Sequence, residues 1–329
     1  MRQISLYSWI VCLCTVASQW VGAAPSDESS RLAQSVTIVD VHRHVNWWVS
    51  PVELIDQMKR NNIGWSGAVG PAAPDPKGGQ FDLTPYREAL GNRFIPAIGQ
   101  PALSRIFRQG GTVALVDENN EIYRKLFEQA DDLFKTGRAK GFGELILNNK
   151  QTNPDVSFRR KVAIDAAPFK TMAEIAQRNS GFLQIHAEDD SDSVQQIKNL
   201  ATQFPDVPII LSHCMESVST GLIKELLLSH PNLYCELSAR SALFFFTGAP
   251  PQKIAHYSLY DNQSFRPDWI ALVDDLPTRF MLGSDTFRQD IDIDKVIFQL
   301  RNGVLANLKP ETIELVASGN AIRVLKLLQ

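Results

Sequence analysis

Short apolar runs alternate with segments of helical periodicity along most of the chain after residue 35. The runs are rich in valine, isoleucine, leucine and phenylalanine, which favour strands, whereas the segments between them repeat apolar residues at the spacing of a helix. Predicted strands cover residues 36–41, 63–69, 93–98, 141–147, 181–186, 207–213, 233–238 and 279–285. Predicted helices cover residues 51–60, 85–90, 119–134, 166–178, 191–204, 217–229, 267–275, 291–305 and 310–328, and a long loop spans 239–266.

This alternation predicts an α/β fold with a parallel sheet, because parallel strands need crossover connections. An open doubly wound sheet would alternate in the same way, but no glycine-rich phosphate loop follows the first strand. Eight strand–helix units in a chain of 329 residues therefore favour a closed (β/α)8 TIM barrel, formed as a single domain by residues 36–329.

The N-terminus has the pattern of a signal peptide. Arg2 supplies a positive charge, residues 6–16 are mostly apolar, and small residues precede Pro25, so residues 1–24 are predicted to be removed. The apolar run is too short for a comfortable membrane span, and a retained N-terminal anchor is the alternative. Residues 25–35 form a polar leader, and the mature protein is expected in the periplasm or outside the cell.

Composition narrows the class of protein. The chain is 44% hydrophobic and 21% charged, as ordinary globular proteins are, and its net charge of −3 gives no basic surface for nucleic acid. Only Cys214 and Cys235 remain after processing, so the protein is not a disulfide scaffold. The sequence leaves open whether these two cysteines pair and whether the protein is a homo-oligomer.

Candidate chemistry begins at the end of the first predicted strand, where His42 and His44 stand two residues apart. Strand geometry puts both imidazoles on the same face. Imidazole is a favoured ligand of zinc and its neighbours in the first transition row, so the pair forms half of a metal site. The alternative is that two of the six histidines fall on an ordinary strand by chance.

Further polar residues occupy corresponding places in later strands. Glu144 lies within the fourth predicted strand, and the fifth, sixth and eighth end at His186, His213 and Asp285. The carboxyl ends of barrel strands meet at one mouth, where barrel enzymes have their active sites. Each residue alone also fits a structural role: Glu144 an ion pair, either histidine a core position, and Asp285 a helix N-cap. All of them in this order favour a shared metal site.

The order HxH, Glu, His, His, Asp resembles the amidohydrolase superfamily of metal-dependent barrel enzymes. The motifs that carry the resemblance are Asp40-Val41-His42-Arg43-His44, Gly143-Glu144, Ile185-His186, Ser212-His213, Gly283-Ser284-Asp285-Thr286 and Gly319-Asn320-Ala321-Ile322-Arg323-Val324-Leu325. The last of these is similar to the closing helix of the amidohydrolase-related (amidohydrolase 2) branch. The resemblance covers essentially the whole mature chain, and that branch includes lactonases, other hydrolases and decarboxylases.

The resemblance also implies a ligand set. Glu144 would bridge two metal ions, as in the branch that resembles TatD-type nucleases, so the carboxylated lysine of many relatives is not expected. One ion would be held by His42, His44 and Asp285, and the second by His186 and His213. Imidazoles with carboxylates suit zinc best, with manganese, iron and cobalt as alternatives, and the number of ions is open. Asp285, beside metal and water, would act as general base and then as acid for the leaving group.

Candidate substrate contacts follow the strand ends. Arg240 and Arg288 come after the seventh and eighth strands, where they are placed to bind a carboxylate or phosphate, although either could be a solvated loop arginine. Trp47, Trp48 and residues 243–246 would wall an apolar pocket or form a lid, unless they only pack loops onto the barrel.

These observations predict a metal-dependent hydrolase that cleaves an ester, lactone or amide bond of a small molecule. A decarboxylase of a small aromatic acid is the first alternative, and it would need one metal and leave Glu144 idle. A phosphoester hydrolase is the second, favoured by Glu144 alone. A non-catalytic metal- or ligand-binding barrel is the third, and the complete ligand set argues against it. The sequence does not identify the substrate.

Overall fold

The protein is described by a computed structural model over residues 25–46, 48–69, 82–153, 155–244, 258–261 and 264–328. The predicted signal peptide, Trp47 and the middle of the loop after the seventh barrel strand lie outside these residues. No helix in the described ranges is long and apolar enough to cross a membrane.

Eight parallel strands form one sheet in which each strand pairs with the next along the chain. They are β1 (Ile38–Asp40), β2 (Ile63–Ala68), β3 (Phe94–Gly99), β4 (Gly141–Ile146), β5 (Phe182–His186), β6 (Ile209–Leu211), β7 (Leu233–Glu236) and β10 (Phe280–Met281). A small antiparallel hairpin, β8 (Tyr260–Asp261) and β9 (Ser264–Phe265), precedes the last of these. A parallel bridge between Asp40 and Leu282 links the two edges, so the sheet is a nearly closed barrel and the predicted TIM barrel is confirmed.

Helices follow the strands as crossovers around the sheet. They are α1 (Asp27–Ser35), α2 (Pro51–Arg60), α3 (Thr84–Leu90), α4 (Gln100–Leu115), α5 (Glu121–Lys135), α6 (Ala167–Arg178), α7 (Ser191–Gln203), α8 (Thr220–Ser229), α9 (Pro267–Asp275), α10 (Ile293–Gln299), α11 (Pro310–Glu314) and α12 (Asn320–Val324). The start of α2 shows why prediction works locally: Ser50 accepts a hydrogen bond from the Glu53 N–H at 3.1 Å, and Pro51 occupies the first turn.

The structure differs from prediction at both ends of the chain. The polar leader contains α1, whose Ala33 is buried and whose Ser29 hydroxyl donates to the Leu308 carbonyl at 2.8 Å. The helices predicted over 291–305 and 310–328 are each interrupted by a π-helical turn, Leu300–Val304 and Leu315–Gly319. The N-terminal helix α1 packs on the C-terminal region, and tertiary contacts of this kind are not visible in the local periodicity of the sequence.

Several barrel strands end earlier than predicted, and in two of them this moves a site residue off the sheet. β6 stops at Leu211, and β10 stops at Met281. Beyond them the chain enters left-handed backbone, with φ of 55° at His213 and 44° at Asp285, which cannot continue a strand ladder. His213 and Asp285 were therefore wrongly predicted as strand ends, since they lie in the loops just beyond.

A disulfide joins the loop after β6 to the neighbouring strand β7, close to the mouth of the barrel. Cys214, directly after His213, pairs with Cys235 of β7, and their Cα atoms are 4.8 Å apart. Both residues are fully buried. The question that the sequence left open is answered by this pairing, which ties the loop after β6 to the end of β7.

Candidate metal centre

All six predicted ligands meet at one end of the barrel. His42, His44, Glu144, His213 and Asp285 are at most 3% exposed, and the side chain of His186 is 11% exposed. They come from five segments of the barrel, because His42 and His44 both follow β1, so only closure of the barrel brings them together. The structure therefore places the six side chains close together, and their binding of a metal stays a prediction.

The first half of the cluster is formed by His42, His44 and Asp285. The Nε2 atoms of the two histidines are 3.3 Å apart, and Asp285 Oδ1 lies 3.4 Å from His42 Nε2 and 3.1 Å from His44 Nε2. Three ligand atoms of the right chemical type therefore converge on one small space.

Glu144 lies between this half and the other two histidines. Its Oε2 is 3.6 Å from the Nε2 atoms of both His42 and His44. Its Oε1 is 3.0 Å from His186 Nδ1 and 3.3 Å from His213 Nε2. Each carboxylate oxygen thus faces a different pair of imidazoles.

The main chain around Asp285 is fixed by the first strand. The Asp285 N–H and the Ser284 N–H both donate to the His42 carbonyl, at 2.6 and 3.1 Å. Asp40, at the end of β1, accepts hydrogen bonds from the N–H and the hydroxyl of Ser284. The left-handed turn that presents Asp285 is therefore tied to the residue that presents His42.

Three polar residues that sequence reasoning missed support the histidines. Glu236, fully buried, lies 3.0 Å from His42 Nδ1, and the Ser238 hydroxyl lies 2.9 Å from His213 Nδ1. Glu216 Oε2 lies 3.4 Å from His186 Nε2. Glu236 stands in an apolar strand, a signal that could have singled it out. Glu216 and Ser238 follow strand ends but carry no comparable signal.

The histidines and carboxylates of the cluster shift one another's pKa values. Burial alone would lower the pKa of His42, but the carboxylates of Glu144, Asp285 and Glu236 raise it well above its usual value. Burial opposes the charge of Glu144 as well, yet the neighbouring histidines hold its pKa well below the usual value. The raised pKa values of His42, His44 and His186 favour protonated imidazoles in the metal-free protein, in the space where a cation would balance the same carboxylates.

The donor set fits a divalent transition metal. Two groups of three ligands, with ligand atoms within 4.8 Å of one another, occur in the described residues, and all of these residues are buried. They comprise His42, Glu144 and His213 in one group, and His42, His44 and Asp285 in the other. Imidazole nitrogen with carboxylate oxygen is the ligand chemistry of zinc and its first-row neighbours.

The three predicted substrate contacts have different outcomes. Arg240 is buried, its guanidinium lies 4.8 Å from the centre of the Trp269 ring, and burial lowers its pKa to about 9 although Glu216 opposes this. Arg288 donates to Asp290 at 2.9 Å and to the Phe244 carbonyl at 3.3 Å. Trp47 lies outside the described residues. Substrate binding by these residues stays a prediction.

Solved structures with a similar fold are enzymes. An amidohydrolase from Burkholderia multivorans aligns with a TM-score of 0.56 at 15% identity, over 88% of this chain and 99% of that chain. Dihydroorotase from Saccharomyces cerevisiae aligns with a TM-score of 0.52 at 11% identity, over 88% of this chain and 84% of that chain. Dihydroorotase from Campylobacter jejuni aligns with a TM-score of 0.50 at 15% identity, over 88% of this chain and 83% of that chain. At these identities the likeness concerns the fold alone.

Sequence comparison assigns the family. No curated protein sequence gave a match to this chain. A family model described as amidohydrolase matches residues 39–327, which is most of the chain and includes every ligand discussed above. The chain therefore belongs to the amidohydrolase family and is a metal-dependent, amidohydrolase-like enzyme.

Proposed function

We propose that the protein hydrolyses an ester, lactone or amide bond of a small molecule at a centre of two divalent metal ions. The observation that supports this most directly is the orientation of Glu144, whose Oε2 faces His42 and His44 while its Oε1 faces His186 and His213. A carboxylate placed in this way suits a bridge between two cations. His42, His44 and Asp285 would hold the first ion, and His186 and His213 the second.

The residues of the chain then divide the chemical work. Divalent ions held there would supply Lewis acidity, which polarises a carbonyl oxygen and lowers the pKa of water. Asp285 accepts the proton of the attacking water and delivers it to the leaving group, because its carboxylate borders the ligand cluster from the loop beyond β10. The main chain of Asp285 is held by the His42 carbonyl, so this carboxylate is positioned before substrate arrives.

Zinc is the ion we propose, since imidazoles outnumber carboxylates in the cluster, while manganese, iron and cobalt are the alternatives. Arg240 and Arg288 are proposed to contact a substrate carboxylate.

Decarboxylation of a small aromatic acid is the second candidate. His42, His44 and Asp285 form a three-ligand group on their own, and a decarboxylase would need only one ion. Phosphoester hydrolysis has Glu144 as its sole support.

A substrate panel tests the proposal. The zinc-loaded protein is assayed against lactones, aryl and alkyl esters, and cyclic and linear amides by acid release, and against hydroxylated benzoic acids by carbon dioxide release. We expect turnover in the first set, abolished by Asp285→Asn and by chelation and restored by zinc. Carbon dioxide release without any acid release would replace hydrolysis by the decarboxylase candidate.

We also propose that the protein is exported after removal of residues 1–24. The Cys214–Cys235 disulfide supports this, because such bonds persist in oxidising compartments. Intact-mass measurement of the protein recovered from culture medium and from the periplasm tests it, with a mature N-terminus at or near Pro25 expected. An intact N-terminus on protein found only in the cytosol would contradict it.

A further inference from the structure

Glu236 is a buried carboxylate that the proposed chemistry does not use. It is the last residue of β7 and is fully buried. Leaving a carboxylate in such a place is costly, so the partners of its Oε2 indicate what it does, while Oε1 makes no hydrogen bond within the described residues.

One oxygen of Glu236 binds two parts of the ligand cluster at once. Oε2 lies 3.0 Å from His42 Nδ1 and accepts the main-chain N–H of His213 at 3.2 Å. A carboxylate only accepts hydrogen bonds, so the Nδ1 atom of His42 carries the proton in this pair. Nε2, which lies towards His44, Glu144 and Asp285, is then the nitrogen that would give its lone pair to a metal ion once its own proton has left.

The contact to His213 acts on backbone conformation. His213, Cys214, Met215 and Glu216 all have positive φ, between 24° and 59°, which is unfavourable for residues other than glycine. Such a turn needs external support. Glu236 supplies it through the His213 N–H, and the disulfide between Cys214 and Cys235 holds the same two chain segments one residue further along.

The main chain at Gly283 packs closely against Glu236 and His42. A Cβ atom added at Gly283 would lie 2.3 Å from Glu236 Oε1 and 2.6 Å from the Cβ of His42. Glycine at this position therefore lets the chain that leads to Asp285 press directly against the Glu236–His42 pair. Glu236 therefore contacts the segments that present His42 and His213, and Gly283, two residues before Asp285, packs against it.

We propose that Glu236 is a positioning residue that sets the metal affinity of the centre, by fixing the ring of His42 and the turn of His213 together. The proposal rests on the metal centre of the proposed function. A carboxylate behind a metal-binding histidine orients the ring and raises its basicity, and loss of such partners typically costs about 10–100-fold in metal affinity.

The test is the zinc dissociation constant of the full-length mature protein, measured by chelator competition for wild type, Glu236→Ala, Glu236→Gln and Glu188→Gln. Glu188 is a matched control, because it is equally buried and its hydrogen bonds go to Gln151 and Thr152. We expect zinc binding about 10–100-fold weaker in Glu236→Ala, an intermediate value in Glu236→Gln, which keeps an acceptor oxygen, and about the wild-type value in Glu188→Gln.

Cobalt provides a readout that general destabilisation would not change. The visible absorption of the Co²⁺-loaded protein reports the ligand geometry, and we expect it to change in Glu236→Ala and to recover partly in Glu236→Gln. If Glu236→Ala does not fold, the proposal is tested by comparing the zinc dissociation constant of Glu236→Gln with that of Glu188→Gln. The proposal would be overturned if both Glu236 variants matched wild type in zinc binding and in cobalt spectrum. A wild-type protein that binds no metal would overturn the proposed function instead.

Discussion

The Asp40 carboxylate accepts two hydrogen bonds from Ser284, one from its main-chain N–H at 2.8 Å and one from its hydroxyl at 2.7 Å. Asp40 ends the first barrel strand and Ser284 follows the last, so the contact closes the barrel where His42 and Asp285 emerge. Both residues are buried. The same carboxylate also accepts a hydrogen bond from the His42 N–H at 3.2 Å. Asp40 therefore binds both the segment that carries His42 and the segment that carries Asp285.

Removing this carboxylate should therefore affect stability and activity together. We expect Asp40→Ala to lower the free energy of unfolding by about 2–5 kcal/mol, because it leaves buried donors on Ser284 unpaired, and to lower kcat through displacement of Asp285. Ser284→Ala keeps the main-chain bond and should cost only about 1 kcal/mol. Urea unfolding of both variants checks this, and equal losses would argue against a special role for Asp40.

Asp285→Asn separates the proton transfer role from the shape of the site. Asparagine keeps the size of the side chain but is not a general base, so we expect kcat to fall about 10²–10⁴-fold. Metal content should largely persist because the histidines remain. Steady-state kinetics with parallel metal determination measure both, and a kcat within about threefold of wild type would assign the base to another residue.

Metal removal should make stability depend on pH through His186. Burial by itself would lower the pKa of His186, but Glu144 and Glu216 raise it to about 10, above the ordinary value of 6.5. A raised folded-state pKa contributes stability that is fully present below pH 6.5 and is lost as the pH rises towards 10. We expect the Tm of the chelated protein to fall across that window.

His186→Gln is the control for this effect, since the variant cannot titrate. Its chelated form should lose less Tm between pH 7 and pH 10 than chelated wild type, as followed by thermal melts. Identical slopes for the two proteins would show that His186 is not the group responsible.

The disulfide should stabilise both the fold and the turn that carries His213. It closes a span of 21 residues, for which chain entropy gives about 3 kcal/mol. We expect Cys214→Ser with Cys235→Ser to lower the free energy of unfolding by about that amount and to speed loss of metal to a chelator. A reductant should reproduce the change in wild type and do nothing further to the double variant, and a wild type insensitive to reduction would contradict the prediction.

The barrel, and the side chains that meet at its mouth, could be predicted because their signals are local. Pro51 and Ser50 mark a helix start, and the HxH pair at the end of an apolar run marks a strand that presents ligands. The helix α4 was missed, since glycines near its end, including Gly111 at a φ of 64°, interrupt the helical pattern. The turn at His213 was also missed, because non-glycine residues adopt left-handed backbone there only under tertiary contacts.

The supporting carboxylates are the other part that sequence did not reveal. Asp40 and Glu236 lie on apolar strands, where an ion pair, a catalytic role and a positioning role predict the same sequence. Their partners are 244 and 194 residues away, in Ser284 and His42. Only the closed barrel shows which of these roles each carboxylate has.

The most direct test is the metal content of the purified mature protein, determined by elemental mass spectrometry for wild type and Glu144→Ala in parallel. Because Glu144 turns one oxygen towards each histidine pair, we expect about two ions per chain in wild type and about one in the variant. One ion in both would make Glu144 structural and favour the decarboxylase candidate. No ion in wild type, even after zinc or manganese is supplied, would contradict the metal centre and the hydrolase with it.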